Sequence, residues 1–101
     1  YPQGRPDLLT RFVRDALLLA EDELEAGHRA VGAYRMEERI GLIRCPVLLV
    51  GADADPYAYP HLAELSHHLP QARTAVISGG TVALMEVHAG DIADLVRSVM
   101  A

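Results

Sequence analysis

The sequence IRCPVLLVGADADP, residues 43–56, decides the fold because a short apolar run ends there in a glycine and an acidic turn. Residues 46–50 are too few for a helix, and their side chains do not alternate as in a half-exposed strand. Such a run is typical of a strand that is covered on both faces. We therefore predict a buried β-strand over residues 46–50, followed by a turn that contains Asp53 and Asp55.

A second strand is predicted one helix later. The sequence RTAVISGGT, residues 73–81, contains an aliphatic run at residues 74–77 and then a pair of glycines. Residues 60–69 predict the intervening helix, between a proline in its first turn and another after its end. The leucines of this helix share one face: Leu62, Leu65 and Leu69. Two strands joined by a helical crossover are parallel, so we expect both glycine turns at one carboxyl edge, where open α/β sheets place their sites.

Helices are predicted on both sides of this unit. Asp7 can cap a first helix that ends near Gly27, and residues 28–39 predict a second, more polar helix. Asp91 lies at the start of the last helix. The apolar face of the first helix consists of Leu8, Leu9, Phe12, Val13, Ala16, Leu17, Ala20 and Leu24. The inward face of the last helix consists of Ile92, Leu95, Val96 and Val99. The predicted fold class is α/β, with two N-terminal helices followed by strand, helix, strand and helix.

Composition limits the classes of partner. The chain has 101 residues, half of them hydrophobic, which indicates one small globular domain with an aliphatic core. Its net charge of −5 offers no basic field for phosphates, so we expect neither nucleic acid nor an anionic membrane as a partner. The one cysteine, Cys45, begins an apolar segment and predicts a small buried thiol. A single unpaired cysteine and the lack of a secretion signal favour the cytoplasm.

The two strands with their turns resemble the C-terminal part of α/β-hydrolase-fold proteins. The motif IRCPVLLVG, the helix HLAELSHHLP, the strand RTAVISGG and the closing helix DIADLVRSVM carry this resemblance, which extends from about residue 37 to the end of the chain. It implies that residues 41–101 are the C-terminal part of a hydrolase core. Residues 1–40 would then be a helical segment of the cap or of its connection to the core.

The resemblance also implies positions for a catalytic triad. Its acid follows the first of these strands, where Asp55 matches best and Asp53 is the second choice. Both aspartates are also ordinary turn formers. The histidine position, directly after the glycine pair, holds Thr81, which lacks a group that titrates near neutral pH. His88, seven residues further on, is a weak alternative base whose simpler interpretation is a solvated side chain.

The sequence lacks the G-x-S-x-G turn that presents a nucleophile in this family. We therefore expect the C-terminal part of an ester, amide or C–C hydrolase, which is inactive alone because its nucleophile lies outside the chain. The alternative is a non-catalytic relative that binds a small apolar ligand or a partner protein, with Thr81 marking a lost site. No cofactor is expected, and His61 and His68 share a helix face without a third ligand for a metal. The unpaired edges of a two-stranded sheet predict contact with a missing N-terminal part or self-association.

Overall fold

The centre of the fold is a two-stranded parallel sheet, seen in a computed structural model that describes residues 4–100. Strand β1 is Leu48–Ala52 and strand β2 is Arg73–Ile77. Leu48 lies opposite Arg73, and Ala52 lies opposite Ile77. The predicted α/β class and the parallel pairing are confirmed. Strand β1 begins two residues later than the predicted strand, after a bend at Cys45.

The crossover between the strands supplies half of the residues that form the core cluster or pack around it. A 3₁₀ turn, Tyr59–His61, leads into helix α3, Leu62–His68. The predicted leucine face is confirmed: Leu62 and Leu65 are half-buried, and Leu69 is buried. The core cluster consists of Ile40, Leu49 and Leu69, with Ile43, Val47, Leu62, Leu65 and Ala72 packed around it.

The N-terminal helices break at a different place from the one predicted. Helix α1 is Pro6–Leu17 and helix α2 is Glu21–Ala33, so Gly27 lies inside α2 and does not end a helix. The Glu23 carboxylate accepts a hydrogen bond from the Ala20 N–H at 3.1 Å, which satisfies a donor at the start of α2. Three acidic residues in the first turn also favour a helix start there.

The segment after α2 forms two short 3₁₀ turns, Met36–Glu38 and Ile40–Leu42, in place of the predicted helix over residues 28–39. Only Ile40 of these turns is buried, and it belongs to the core cluster. The prediction for Cys45 is also wrong, because its thiol is exposed at the bend before β1.

The apolar face predicted for α1 is mostly uncovered in the described chain. Leu8 is buried, whereas Leu9, Val13 and Leu17 are exposed. An ion pair of 3.1 Å between Arg11 and Glu86 joins α1 to the C-terminal half. The amphipathic pattern therefore identified a helix correctly without identifying a covered face.

Two helices end the described chain. The short helix α4, Leu84–Val87, was not predicted, and helix α5 is Ala89–Met100. On α5 the predicted inward residues Ile92, Leu95 and Val99 are half-buried, whereas Val96 is 49 % exposed. Among residues 4–100, no helix has the length and apolar character that a membrane span needs.

Candidate functional site

The loops that follow β1 and β2 are bonded to each other at the carboxyl edge of the sheet. The Asp53 N–H donates to the Ile77 carbonyl at 3.4 Å, and the Ala54 N–H donates to the Gly80 carbonyl at 2.8 Å. In the opposite direction, the Gly79 N–H donates to Asp53 Oδ1 at 2.7 Å. Asp53, the second choice for a catalytic acid, thus holds the second glycine turn in place.

Backbone conformation explains one glycine of this edge, and close packing explains two others. Gly79 has φ +73°, a left-handed conformation that glycine adopts without the strain of a Cβ. A Cβ at Gly80 would lie 2.8 Å from Leu84 Cδ1 and 3.0 Å from the Cβ of Ala52. A Cβ at Gly51 would lie 2.6 Å from a Leu62 methyl carbon. Gly80 and Gly51 therefore let the loop after β2 and the crossover pack directly against the sheet.

Asp55 forms its own turn with one oxygen of its carboxylate. Oδ1 accepts the N–H groups of Tyr57 at 2.9 Å and Ala58 at 3.2 Å, the geometry of an Asx turn. Oδ2 accepts no hydrogen bond, and the half-buried carboxylate makes no ion pair, within residues 4–100. The turn fixes the position of the carboxylate and leaves one of its oxygens available to another group.

Thr81 lies in the other loop and lines the same cleft as Asp55. Its half-buried hydroxyl accepts the Ala83 N–H at 3.3 Å, which is a local turn contact. His88 is elsewhere: it lies between α4 and α5, outside the lining of the cleft, with Nδ1 3.3 Å from Asp91 Oδ2. The structure therefore brings together Asp55 and Thr81 and does not bring His88 to them.

The cleft has a volume of about 650 Å³ and opens beside the carboxyl end of β1. Its walls are largely aliphatic and include Met36, Ile40, Val50, Leu62, Leu65 and Val82. Its ionisable lining residues are Glu37, Asp55, Tyr59, His61, Glu64 and His68. None of the described residues that line it is Lys or Arg. Apolar walls with a few polar groups are typical of small-molecule sites.

Several cleft residues were not predicted from the sequence. Met36 lay within the predicted second, more polar helix and was given no role, and Tyr59 was given no role either. A signal for Tyr59 was nevertheless present, because a right-handed crossover places the start of its helix beside the carboxyl end of the preceding strand. The segment from residue 56 to residue 61 was therefore bound to lie near the acidic turn.

Within the part of the chain that the structure describes, no group of three or more His, Cys, Asp or Glu side chains is arranged to hold a metal ion. His61 of the helix face lies 3.8 Å from Glu64, and both side chains are largely exposed.

No family model matches the chain, and no curated protein or solved structure matches it either. The interpretation of the cleft therefore depends on its own residues and geometry.

Proposed function

We propose that this chain is the C-terminal part of an α/β-hydrolase-like protein and that the cleft is the portion of the ligand site that it supplies. One observation carries the proposal: Asp55 and Thr81 follow consecutive parallel strands and line one cleft. Those are the positions that a triad acid and its histidine would take in such a protein. Residues 1–40 would belong to the cap or its connection, and residues 41–101 to the core.

In this proposal Asp55 orients an imidazole. A triad acid holds the histidine in the correct tautomer and stabilises its charged form. The Asx turn suits that task, because it fixes the carboxylate through Oδ1 and leaves Oδ2 for the imidazole. The nucleophile and the imidazole would come from outside this chain, which would be inactive alone. The parent protein would hydrolyse an ester, an amide or an activated carbon–carbon bond.

The sheet supports the proposal that further chain covers this part. The Val47 carbonyl and the Asp53 N–H both bond to β2, so alternate residues of β1, Leu48 and Val50, direct their backbone groups away from it. A two-stranded sheet with open edges is marginal in water. In the parent protein the missing N-terminal part would pair there. For the isolated chain we expect self-association, seen as a sedimentation coefficient that rises with concentration; a compact monomer at all concentrations would contradict this.

The catalytic role of Asp55 is tested in the complete parent protein with p-nitrophenyl esters. Asp55→Asn keeps the acceptor for the Tyr57 and Ala58 N–H groups but cannot stabilise an imidazolium, so we expect a loss of kcat of about 10²-fold to 10⁴-fold. Asp94→Asn on α5 changes an exposed carboxylate in the same way and should leave kcat unchanged. An active parent whose rate is insensitive to Asp55→Asn would disprove the role of the acid.

A second candidate function is a non-catalytic relative that binds a small apolar ligand or a partner protein in the cleft. Thr81 favours it, since this side chain stands at the histidine position and its hydroxyl is bonded to the Ala83 N–H. If the parent is inactive, Thr81→His should restore ester hydrolysis when the remaining parts of a triad are present. Activity of the unmodified parent would reject the binding function.

A further inference from the structure

We propose that the cleft binds an organic cation with an apolar body, of the alkylammonium class. This inference rests on the proposed role of the cleft as a ligand site, and it adds the chemical class of the ligand. Three properties of the lining support it: the sign of its charge, an aromatic side chain, and the aliphatic walls.

The charge of the lining is negative. Glu37, Asp55 and Glu64 contribute carboxylates, and no described lining residue is Lys or Arg. The nearest cation to Glu37 is Arg35 at 4.0 Å, outside the lining, and Arg35 makes a closer pair of 2.9 Å with Glu38. Such a lining attracts a cation and repels an anion, most strongly at low ionic strength.

The histidines do not reverse this sign. His61 and His68 line the cleft, and His61 lies 3.8 Å from Glu64. The three lining carboxylates, those of Glu37, Asp55 and Glu64, outnumber these two imidazoles. A ligand that enters beside the apolar walls therefore meets a net negative potential.

The lining contains an aromatic ring, that of Tyr59, in addition to the half-buried carboxylate of Asp55. The Tyr59 N–H donates to the Asp55 carbonyl at 3.3 Å, and the ring carbons Cδ2 and Cε2 would lie 3.1 Å and 3.2 Å from a Cβ at Gly51. An ammonium group is attracted both by the face of an aromatic ring and by a carboxylate that lacks an ion-pair partner. The alkyl part of the ligand would contact aliphatic residues such as Ile40, Leu62 and Val82.

Matched probes of equal chain length separate charge from hydrophobicity. Hexyltrimethylammonium, hexanol and hexanoate are titrated into the ¹⁵N-labelled 101-residue chain at pH 8, and the amide shifts of cleft residues are followed by NMR. We expect hexyltrimethylammonium to bind about tenfold more tightly than hexanoate, with hexanol between them, as expected for a partly screened carboxylate and a cation–π contact. The difference should shrink in 1 M salt.

Two pairs of variants test which residues cause the preference for the cation over the anion. Asp55→Asn retains the Asx turn and should abolish most of the difference between cation and anion, whereas the control Asp94→Asn should preserve it. Tyr59→Phe keeps the aromatic ring and should bind the cation normally, whereas Tyr59→Leu should bind it several-fold more weakly.

The outcomes separate this inference from the proposed function. Equal binding of cation and anion, together with hydrolysis by the parent that depends on Asp55, would overturn the ligand class alone. Suppose that the cation preference depends on Asp55 but the rate of hydrolysis by the parent does not. That result would support the ligand class and contradict the hydrolase function. If none of the three probes shifts the amides of the cleft, the ligand class and the cleft itself are both rejected.

Discussion

The two halves of this chain bury their hydrophobic residues to different extents. The segment from Ile40 to Ala83, which includes the strands and the crossover, contains every buried hydrophobic residue of the described chain except Leu8. Helices α1 and α2 carry similar aliphatic residues, yet Leu17 and Val31 are 79 % and 77 % exposed. A helix satisfies its backbone within one segment, whereas a strand needs a neighbour. Helical periodicity therefore shows which face would be buried and leaves open what covers it.

Truncating one leucine in each half tests this difference most strongly. Leu69 is 3 % exposed and packs against Ile40 and Leu49, so Leu69→Ala should lower the free energy of unfolding by about 2 to 5 kcal/mol. Leu17→Ala removes an exposed side chain and should change it by less than about 0.5 kcal/mol. Urea unfolding followed by circular dichroism measures both values.

The leucine comparison also reports on association. If Leu17→Ala costs as much as Leu69→Ala, then α1 is covered in solution and the contrast between the halves does not hold. Repeating the experiment at two protein concentrations identifies the cover, because a second copy makes the cost depend on concentration.

A glycine in each half offers a second test, with opposite signs expected. Gly51→Ala places a Cβ 2.6 Å from a Leu62 methyl carbon and 3.1 Å from the Tyr59 ring, so overpacking should destabilise the chain by about 1 to 3 kcal/mol. Gly27→Ala adds a Cβ inside α2 that meets no side chain and no backbone from outside the helix within 4 Å, so it should stabilise the helix by about 0.5 to 1 kcal/mol. Thermal unfolding of both variants gives the two signs; destabilisation by Gly27→Ala would show that α2 is packed against another surface.

The sequence correctly predicted the half of the fold in which the hydrophobic pattern agrees with the observed packing. The aliphatic runs, the Asp53–Asp55 turn and the glycine pair predicted parallel strands, because a buried strand leaves few alternatives for its backbone. The predicted helix boundaries were wrong where two local signals competed. Gly27 was interpreted as the end of a helix, whereas the acidic residues after Ala20 mark the start of α2. Cys45 was placed wrongly because a bend precedes β1, and apolar character alone does not show where a strand begins.

The cleft was predictable to a smaller extent. Adjacent carboxyl ends placed Asp55 near Thr81, and both line the cleft. Met36 could not be foreseen, because it reaches the cleft through a 3₁₀ turn that no periodic pattern marks. The different roles of Asp53 and Asp55 could not be predicted from the sequence either, because they depend on which carboxylate accepts the hydrogen bond from the Gly79 N–H.

The smallest expected effect lies at the start of α1 and concerns pH. Arg5 donates to Asp7 at 3.0 Å and 2.9 Å, and this hydrogen bonding lowers the pKa of the Asp7 carboxyl from 3.8 to about 2. Because the folded-state pKa is depressed, the interaction contributes fully above the ordinary pKa and is lost as pH falls towards 2. Both side chains are exposed, so the contribution to stability is small.

This pair provides a local test of the comparison between the halves, because it should titrate without disturbing the sheet. We expect the Asp7 carboxyl carbon, followed by NMR, to titrate near its ordinary pKa in Arg5→Ala and near 2 in the unchanged chain. Arg97→Ala, which removes a distant arginine from an exposed pair on α5, should leave the Asp7 titration unaltered. If Arg5→Ala also shifts the amide signals of β1 and β2, then the N-terminal helices are coupled to the sheet more closely than their exposed faces indicate.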